Sequence, residues 1–426
     1  MERYSSYKDS GVSWIGDIPE HWEVKQLRSF LTLFSEKGHG DAQLLSVTRE
    51  QGVIERDKED QEENHNFVPD DLSGYKYIEK GDFAINKMKA WQGSYAVSEY
   101  NGIVSPAYFT CKLKGVNKDF FSKAIRSKVY VPFFTQYSKG IRVGQWDLNP
   151  NALKSIPFFL PTPDEQSVIV KYIDDKTSNI DAYVADKEKE ILLLQELKQK
   201  TIADAVTKGL NPDVKTKDSS SLISTFCPAS WKIVRNKSFM SLTGVKVGNR
   251  ADEYVLLSLT TKGIIVRDLE SGKGKFPKDF DTYQFVRKGE LVFCLFDIDE
   301  TPRTVGLVDT EGMLTGAYTA LKVNTEIALP EYIYNYYLCV DNIKALKPYY
   351  SGLRKTVRAD KFLQIYIPLP PLDEQRAIVS YIEEKCQKID KLASELQSEI
   401  DYLKEYKQRL IADCVTGQVN VQKEVT

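Results

Sequence analysis

The sequence predicts an α+β protein made of two similar halves, and an internal repeat is the first observation that predicts it. Asp164-Glu165-Gln166 returns 209 residues later (373 − 164) as Asp373-Glu374-Gln375, and Ile202-Ala203-Asp204 returns at the same interval as Ile411-Ala412-Asp413. Of the 44 gapless positions that start at Asp164 and Asp373, 21 are identical. A repeat this long indicates two similar domains and excludes a solenoid, whose repeats are far shorter.

The second observation is a set of short apolar, β-branched segments in each half. Leu44–Thr48 and Tyr254–Leu259 are typical of strands, and each is followed by a turn glycine, at Gly52 and Gly263. Short strands with irregular loops and a few helices favour an α+β domain.

The third observation is a long helical segment after each mixed domain. Asp164 and Asp373 follow prolines and are predicted to be the helix N-caps, while Gly209 and Gly417 are predicted to end the helices. Apolar residues then recur within an arc of about 80°, which is narrow enough for a coiled-coil seam. The predicted seam residues are Ile180, Ile191, Leu194, Ile202, Ile389, Leu396, Ile400, Leu403, Leu410 and Ile411.

The simplest partner for each long helix is the equivalent helix of the other half. We expect the two helices to pack antiparallel about a pseudo-twofold axis, which would put the mixed domains at opposite ends. Some 40 helical residues make a rod of roughly 60 Å. Any helical hairpin or core helix would also show an apolar stripe, so the pattern alone leaves this pairing open.

These patterns divide the chain into predicted segments. Residues 1–160 and 222–369 are the two mixed domains, and residues 161–209 and 370–418 are the two helical spacers. Residues 210–221 are a polar linker and residues 419–426 are a tail.

Composition narrows the class of protein. The chain has 426 residues, an ordinary 42% hydrophobic content and a formal net charge of −2. No apolar run approaches the ~18 residues of a membrane span, and the N-terminus lacks a signal-peptide core, so we expect a cytoplasmic protein. The six cysteines are scattered and indicate neither disulfides nor a zinc site.

No catalytic signature emerges from the sequence. The three histidines, His21, His39 and His65, all lie in the first half and form no H-E-x-x-H motif. Gly272-Lys273-Gly274-Lys275 lacks the spacing and the Ser/Thr of a P-loop. We expect no catalytic residue, metal or cofactor site in this chain.

Basic, polar and aromatic loops do repeat between the halves. Arginine and lysine neutralise phosphates or bind guanine, and glutamine bridges adenine, so such loops are candidates for DNA binding. A solvated surface charge is the alternative for any one residue, but the paired occurrence favours binding. The candidates are Lys87, Lys89, Trp91, Gln92, Lys139, Arg142 and Gln145 in the first half, and Arg303, Arg354, Lys355 and Arg358 in the second.

Two motifs in their duplicated order resemble a known family. The first half has Gly11–Trp22, with the sequence GVSWIGDIPEHW, and later Leu160–Gln166, with LPTPDEQ, while the second half has Leu369–Gln375, with LPPLDEQ. With these motifs the whole chain resembles the specificity subunits of type I restriction–modification systems. One departure is Cys227–Trp231, which lacks the preceding W-I-G stretch.

The resemblance implies that each mixed domain is a target-recognition domain for one half of a split, asymmetric double-stranded DNA site. It implies that the helices set the gap and dock two methyltransferase subunits, which carry S-adenosylmethionine. It also implies motor–nuclease subunits that use ATP and Mg²⁺. Two other classes stay open: a non-DNA-binding assembly scaffold, and a fused restriction enzyme, for which the chain lacks room and motifs.

Overall fold

The computed structural model describes residues 2–57, 69–140, 146–267, 280 and 282–423. The chain divides into two compact units, and the boundaries between them fall within the two long helices. Unit 1 contains Met1–Lys187 and Ser398–Thr426, and unit 2 contains Glu188–Gln397. Each unit therefore combines one mixed domain with one half of each long helix.

The strands of unit 1 are β1 (Tyr7–Asp9), β2 (Asp17–Pro19), β3 (Glu23–Gln26), β4 (Leu31–Phe34), β5 (Leu45–Thr48), β6 (Gly52–Glu55), β7 (Lys76–Ile78), β8 (Phe83–Ile85), β9 (Tyr95–Val97), β10 (Gly102–Val104), β11 (Phe109–Leu113), β12 (Ser138–Lys139), β13 (Asp147–Leu148) and β14 (Pro157–Leu160). Its helices are α1 (Lys118–Arg126), α2 (Val131–Tyr137) and α3 (Pro150–Ser155), and the long helix α4 spans Pro163–Lys208.

The strands of unit 2 are β15 (Thr216–Asp218), β16 (Phe226–Pro228), β17 (Lys232–Arg235), β18 (Met240–Leu242), β19 (Val245–Lys246), β20 (Leu257–Thr260), β21 (Gly263–Val266), β22 (Gln284–Val286), β23 (Leu291–Phe293), β24 (Val305–Leu307), β25 (Gly312–Leu314), β26 (Thr319–Val323) and β27 (Tyr366–Leu369). Its helices are α5 (Pro330–Asn342) and α6 (Ala359–Phe362), and the second long helix, α7, spans Leu372–Val415.

The two units share one sheet topology. Unit 1 has a four-stranded antiparallel sheet in the order β4-β11-β8-β9, and unit 2 has the equivalent sheet in the order β18-β26-β23-β24. The smaller pairs also match, because β5-β6 corresponds to β20-β21 and β3-β14 to β17-β27. The repeat in the sequence is therefore a repeat of the fold.

Each four-stranded sheet is buried on both faces. In β8, Phe83 and Ile85 join the main core of unit 1, which also contains α1, α2 and parts of both long helices, while Ala84 joins a second cluster with Val47 and Val53. Because successive strand residues point to opposite faces, an unbroken apolar strand fits a sheet covered on both sides. In unit 2, β23 divides its residues between two clusters in the same way.

Within unit 1, the first half of α4 packs antiparallel to the last half of α7. The Lys407 ammonium lies 2.6 Å from the Asp181 carboxylate, and the Tyr183 hydroxyl donates to Glu399 at 3.0 Å. Ile169, on α4, shares the main core of unit 1 with the end of α7. Two rows of side chains running in opposite directions establish the antiparallel pairing.

Within unit 2, the last half of α4 pairs in the same sense with the first half of α7. Ile202 shares a core with Ile378 and Ile382, and the Lys198 ammonium lies 2.7 Å from the Asp390 carboxylate. All ten predicted seam residues are buried or half-buried, whereas the leucines next to them in sequence, Leu192 and Leu193, are exposed.

The repeated glutamine fixes the start of each long helix. Gln166 accepts from the backbone N–H of Asn117 at 2.9 Å and donates to the Pro161 carbonyl at 2.9 Å. Gln375 accepts from the N–H of Leu329 at 2.8 Å and donates to the carbonyls of Ile327 and Pro370. Because Asn117 and Leu329 are the N-caps of α1 and α5, each glutamine ties two helix starts together.

The N-cap prediction was wrong. Helix α4 begins at Pro163, so Asp164 lies in the first turn, and Thr162 accepts from the N–H of Glu165 through its hydroxyl at 3.4 Å. Helix α7 begins at Leu372, which places Asp373 in its first turn as well. The acidic side chains still favour the positive end of the helix there. The predicted ends agree with the structure, since Gly209 and Gly417 follow the helices with φ of 73° and 74°.

The predicted linker and tail are both structured in part. Linker residues Thr216–Asp218 form β15, which pairs with β16. In the tail, Val419 and Val421 are buried in the core of unit 1, and the Asn420 N–H donates to the Glu2 carbonyl at 2.9 Å. The polar composition of both segments did not reveal these contacts. The predicted α+β class, with two similar domains and two long antiparallel helices, is confirmed.

Candidate nucleic-acid interface

In unit 1 the predicted binding residues lie on two loops. The loop between β8 and β9, residues 86–94, is called the sheet loop here, and the described residues that follow α2, 138–140 and 146–148, are called the helix loop. The Leu148 N–H donates to the Lys87 carbonyl at 3.0 Å, and the Lys87 ammonium lies 3.0 Å from the Asp147 carboxylate. The Trp91 and Trp146 rings lie 5.2 Å apart. These three contacts join the two loops into one surface.

Unit 2 has an equivalent pair of loops. Its sheet loop, residues 294–304, joins β23 and β24, and its helix loop, residues 350–358, precedes α6. The Val357 N–H donates to the Leu295 carbonyl at 2.7 Å, and the Asp297 N–H donates to the Arg354 carbonyl at 2.9 Å. The Arg354 guanidinium lies 5.2 Å from the centre of the Phe296 ring, a cation–π contact.

The same backbone hydrogen bond joins the loops in both units. Leu148 and Val357 are 209 positions apart, and Lys87 and Leu295 are 208 apart, so donor and acceptor occupy equivalent positions. We call each joined pair of loops a loop platform. Within its own unit, each platform brings described candidate residues of two loops onto one surface.

Exposed cations dominate the platform of unit 1. Lys89 and Lys139 are exposed and form no ion pair with another described residue, and Gln92 is half-buried. Gln92 also lines a groove of about 1030 Å³ with Arg49 and Lys128. The predicted residues Arg142 and Gln145 lie outside the described residues.

Arg354 and Lys355, on the helix loop of unit 2, form ion pairs with acids of the sheet loop. Lys355 lies 3.3 Å from both Asp299 and Glu300, and Arg354 lies 3.4 Å from Asp297. Hydrogen bonds to Glu300 and Asp299 raise the pKa of Lys355 above its ordinary value. Burial opposes ionisation of Asp299, but hydrogen bonds from Lys355 and Lys347 outweigh it and hold the pKa of that carboxyl below its usual range.

Two other predicted residues of unit 2 differ in their surroundings. Arg358 is exposed and pairs only loosely with Asp360 at 3.4 Å. Arg303 donates to the buried Asp341 at 3.0 Å and to Asn342 at 3.1 Å. Because Asp341 also accepts from Thr304 and Lys344, the geometry gives Arg303 a role in holding the sheet loop against α5.

Sequence reasoning missed several platform residues. Leu353 is fully exposed at the tip of the helix loop of unit 2, and Phe296 stacks on Tyr318 with ring centres 6.1 Å apart. Met88, which stands 208 positions before Phe296, is also exposed. Alignment of the two halves through the sheet strands would have found this pair, because both follow the last strand residue at the same distance.

Burial affects the titration of three cysteine thiols. Burial raises the pKa of the Cys111, Cys339 and Cys414 thiols to about 12, so these cysteines stay protonated and are poor nucleophiles at neutral pH. Among the described residues, no group of three or more His, Cys, Asp or Glu side chains is arranged to hold a metal ion. Of the helices in the described part of the chain, none combines the length and apolar character that crossing a membrane requires.

The long helices expose a second repeated feature. Tyr183, Leu193 and Leu197 on α4 are exposed, and so are Leu392, Tyr402 and Tyr406 on α7, each 209 positions later. At 100° per residue, the three α4 residues fall within an arc of about 80° beside the seam. We call these two sets the apolar stripes. Leu192 is also exposed but lies on another face of α4.

Comparisons with known proteins agree with this arrangement. The family model for the type I restriction modification DNA specificity domain matches residues 296–402. A relative in Methanocaldococcus jannaschii, named as the type I restriction enzyme MjaX specificity subunit, is 24% identical over 439 residues and aligns with 96% of this chain and 96% of its own length.

Two solved structures share the fold. A chain from a structure of the assembly and conformational transition of the type I R-M system has a TM-score of 0.67 at 13% identity, covering 94% of this chain and 99% of that one. The HsdS subunit from Thermoanaerobacter tengcongensis has a TM-score of 0.50 at 15% identity, covering 94% and 98%. At this identity the likeness is one of fold.

Each unit combines a mixed domain, which carries one loop platform, with one half of each long helix. The matched domain covers residues 296–402 and the relative aligns with nearly the whole chain, so the chain is similar to the specificity subunits of type I restriction–modification systems.

Proposed function

We propose that this chain is the DNA-recognition subunit of a type I complex and that each loop platform contacts one half of a split DNA site. The observation that carries this proposal is the equivalent bond in both units, Leu148 to Lys87 and Val357 to Leu295, which holds two binding loops together twice in one chain. A duplicated reader suits a target with two separate halves.

The side chains of the platforms suit DNA. Lys89 and Lys139 are exposed cations that neutralise phosphates, while Arg354 and Arg358 present planar guanidinium groups that bind guanine in two-pronged fashion. Rigid loops matter here, because base contacts need fixed geometry, and the cross-loop bonds supply it. Phosphate contacts position the protein, and base contacts supply specificity.

In this proposal the catalytic chemistry belongs to partner subunits. Two methyltransferase subunits would carry S-adenosylmethionine, and motor–nuclease subunits would use ATP and Mg²⁺. The chain itself would contribute recognition and the spacing between half-sites, without a catalytic residue of its own. The raised thiol pKa values are consistent with this division.

The apolar stripes are the proposed docking surfaces for the methyltransferase subunits. Each stripe occurs once per long helix at equivalent positions, which fits two copies of one partner. Burying an exposed leucine at an interface gains about 1.5–3 kcal/mol. We expect Leu193→Asp to weaken capture of the methyltransferase measured by analytical ultracentrifugation.

The matched control for this docking test is Leu192→Asp. Leu192 is as exposed as Leu193, and Asp401 already stands at the equivalent position on α7. Leu192→Asp should therefore leave docking of the methyltransferase unchanged. Equal loss in both variants would argue against the stripe as the docking surface.

The main test separates the two half-sites. Arg354→Ala is expected to weaken binding about 10-fold or more to duplexes with an intact second half-site, because a guanidinium–base contact contributes about 1–3 kcal/mol. Lys87→Ala with Lys89→Ala should act on the other half-site. Gel shifts of the assembled complex on duplexes mutated in one half at a time would measure both.

Identical defects on both half-sites would contradict this assignment of platforms. A complex without any salt-dependent DNA binding would favour the alternative, a scaffold whose domains bind other proteins.

A further inference from the structure

The sheet loops of the two platforms carry opposite net charges. In unit 1 the sheet loop carries Lys87 and Lys89, and the helix loop carries Lys139 and Asp147. In unit 2 the position 208 after Lys89 is Asp297, and the sheet loop also carries Asp299 and Glu300. Arg303 of this sheet loop pairs with Asp341 on α5, while Arg354 and Lys355 lie on the helix loop. The same scaffold thus has acids where its counterpart has lysines.

The three acids on the sheet loop of unit 2 all form ion pairs with cations outside that loop. Asp297 pairs with Arg354 at 3.4 Å, Glu300 pairs with Lys355 at 3.3 Å, and Asp299 lies 3.3 Å from both Lys355 and Lys347. In unit 1 the described cross-loop ion pair is Lys87 with Asp147. Before DNA binds, Arg354 and Lys355 on the platform of unit 2 are therefore partly neutralised by carboxylates.

Two residues of the unit 2 platform have unusual backbone dihedral angles. Asp297 has φ of 47° and Lys355 has φ of 42°, values that non-glycine residues seldom adopt. The two residues lie on different loops of the platform, and the Asp297 N–H donates to the carbonyl of Arg354, the residue before Lys355. Strained backbone of this kind persists where the surrounding contacts hold it, often at binding sites.

Partial neutralisation has a predictable effect on DNA binding. Affinity for DNA of any sequence comes mainly from cations that displace counterions from phosphates, and each phosphate contact adds about one to the salt dependence. A cation that is paired with a carboxylate contributes less to this sequence-independent affinity. A cognate base edge can still outcompete the carboxylate, because a two-pronged guanidinium contact is directional.

We propose that Asp297, Asp299 and Glu300 are specificity-determining residues that withhold Arg354 and Lys355 from non-cognate DNA. Unit 1 then supplies most of the sequence-independent affinity, and unit 2 contributes mainly discrimination. This inference rests on the proposed function, since it assumes that both platforms contact DNA.

The test uses Asp297→Asn and Glu300→Gln in the full chain assembled with its methyltransferase partners. Asparagine tolerates positive φ, so the first change removes the charge while keeping the backbone. Fluorescence anisotropy would measure binding to a duplex of unrelated sequence and to a duplex with the motif found by methylome sequencing, over a range of salt concentrations.

Each variant is expected to bind unrelated DNA several-fold more tightly than the wild type, with a salt slope steeper by about one per acid removed. The ratio of cognate to non-cognate affinity should fall accordingly. The gain from Asp297→Asn should disappear when Arg354→Ala is added, and the gain from Glu300→Gln should disappear when Lys355→Ala is added, because each double variant removes both members of one ion pair.

The control is Glu311→Gln, which changes an exposed acid between β24 and β25, outside both loops of the platform. If wild-type protein discriminates its motif but the platform variants keep the wild-type slope and ratio, the inference is overturned while the proposed function stands. An equal gain from Glu311→Gln overturns it too, since overall charge would explain the effect. Wild-type protein that discriminates no sequence overturns both.

Discussion

Glu374 and Glu165 occupy equivalent positions in the two units, yet they accept hydrogen bonds from different side chains. In unit 2 the Trp231 indole N–H donates to Glu374 at 2.9 Å. In unit 1 Glu165 accepts from the Tyr4 hydroxyl at 2.5 Å and contacts the His21 imidazole at 2.9 Å. The indole N–H of Trp22, the counterpart of Trp231, is buried with no partner among the described residues.

The difference follows from the route of the chain. In unit 2 the chain runs continuously from α4 through Gly209 into β15 and then to Trp231. In unit 1 the end of α7 and the first residues of the chain meet as separate segments, and Tyr4 fills the space near Trp22, with ring centres 6.4 Å apart. A repeated motif thus fixes a position in the fold, while its bonds depend on which segment lies beside it.

The largest expected effect concerns the repeated glutamines, whose roles are the same in both units. Gln375→Leu would remove the side-chain partner of three buried or part-buried backbone groups, and Gln166→Leu would remove that of two. At about 1–3 kcal/mol for each orphaned group, we expect losses of about 3 kcal/mol or more and about 2 kcal/mol or more. Hydrogen–deuterium exchange, measured separately on peptides from each unit, would show each loss.

An exposed residue of the same type provides the control for this comparison. Gln195, on α4, should tolerate the change to leucine with little effect on exchange. Equal protection in all three variants would break the claim that the glutamines hold the helix starts.

The tryptophan pair is expected to show a smaller, asymmetric effect. Trp231→Phe removes a hydrogen bond to a carboxylate, which contributes about 1.5–3 kcal/mol, whereas Trp22→Phe removes an N–H that has no partner. Both changes delete the same volume from a fully buried site, so packing losses largely cancel. Calorimetric unfolding should find Trp231→Phe the more destabilising by about 2 kcal/mol; equal costs would contradict the comparison.

The smallest expected effect concerns the aspartates of the repeated Ile-Ala-Asp motif. Burial raises the pKa of Asp413 above its ordinary value, with Arg409 only partly offsetting it. The unfolded chain then loses this proton first, so stability should fall as pH rises from about 4 through the folded-state pKa. Asp413→Asn should therefore stabilise the protein at pH 7 and change little at pH 3.

Asp204 is the matched residue for this pH dependence. Its carboxylate lies 2.6 Å from Lys208 on the same helix, so Asp204→Asn should cost a few tenths of a kcal/mol at pH 7. Thermal unfolding at both pH values would compare the two; stabilisation by both changes would show that the difference in environment is unimportant.

The sequence predicted the periodic parts of the molecule well. Helical spacing and terminal glycines located α4 and α7, because a 3.6-residue period and a positive-φ residue are local properties. The cap was assigned wrongly because Thr162 and Asp164 are both good capping residues, and only the path of the backbone decides between them.

Long-range contacts could not be predicted in this way. The bond from Val357 to Leu295 joins loops 62 residues apart (357 − 295), and nothing in either segment specifies the other. The same holds for Arg303, whose partner Asp341 lies on α5. From the sequence Arg303 resembled any exposed cation, and its burial against an acid emerges only from the fold.

We propose that each platform contacts one half of a split DNA site and that the long helices set the gap between the halves. Methylome sequencing should compare cells carrying the wild-type chain with cells carrying a variant lengthened by helical turns near Ile191–Leu197. The account predicts a two-part motif for the wild type, and the same two halves with a different spacer for the variant. A contiguous motif, or a spacer unchanged by the insertion, would contradict it.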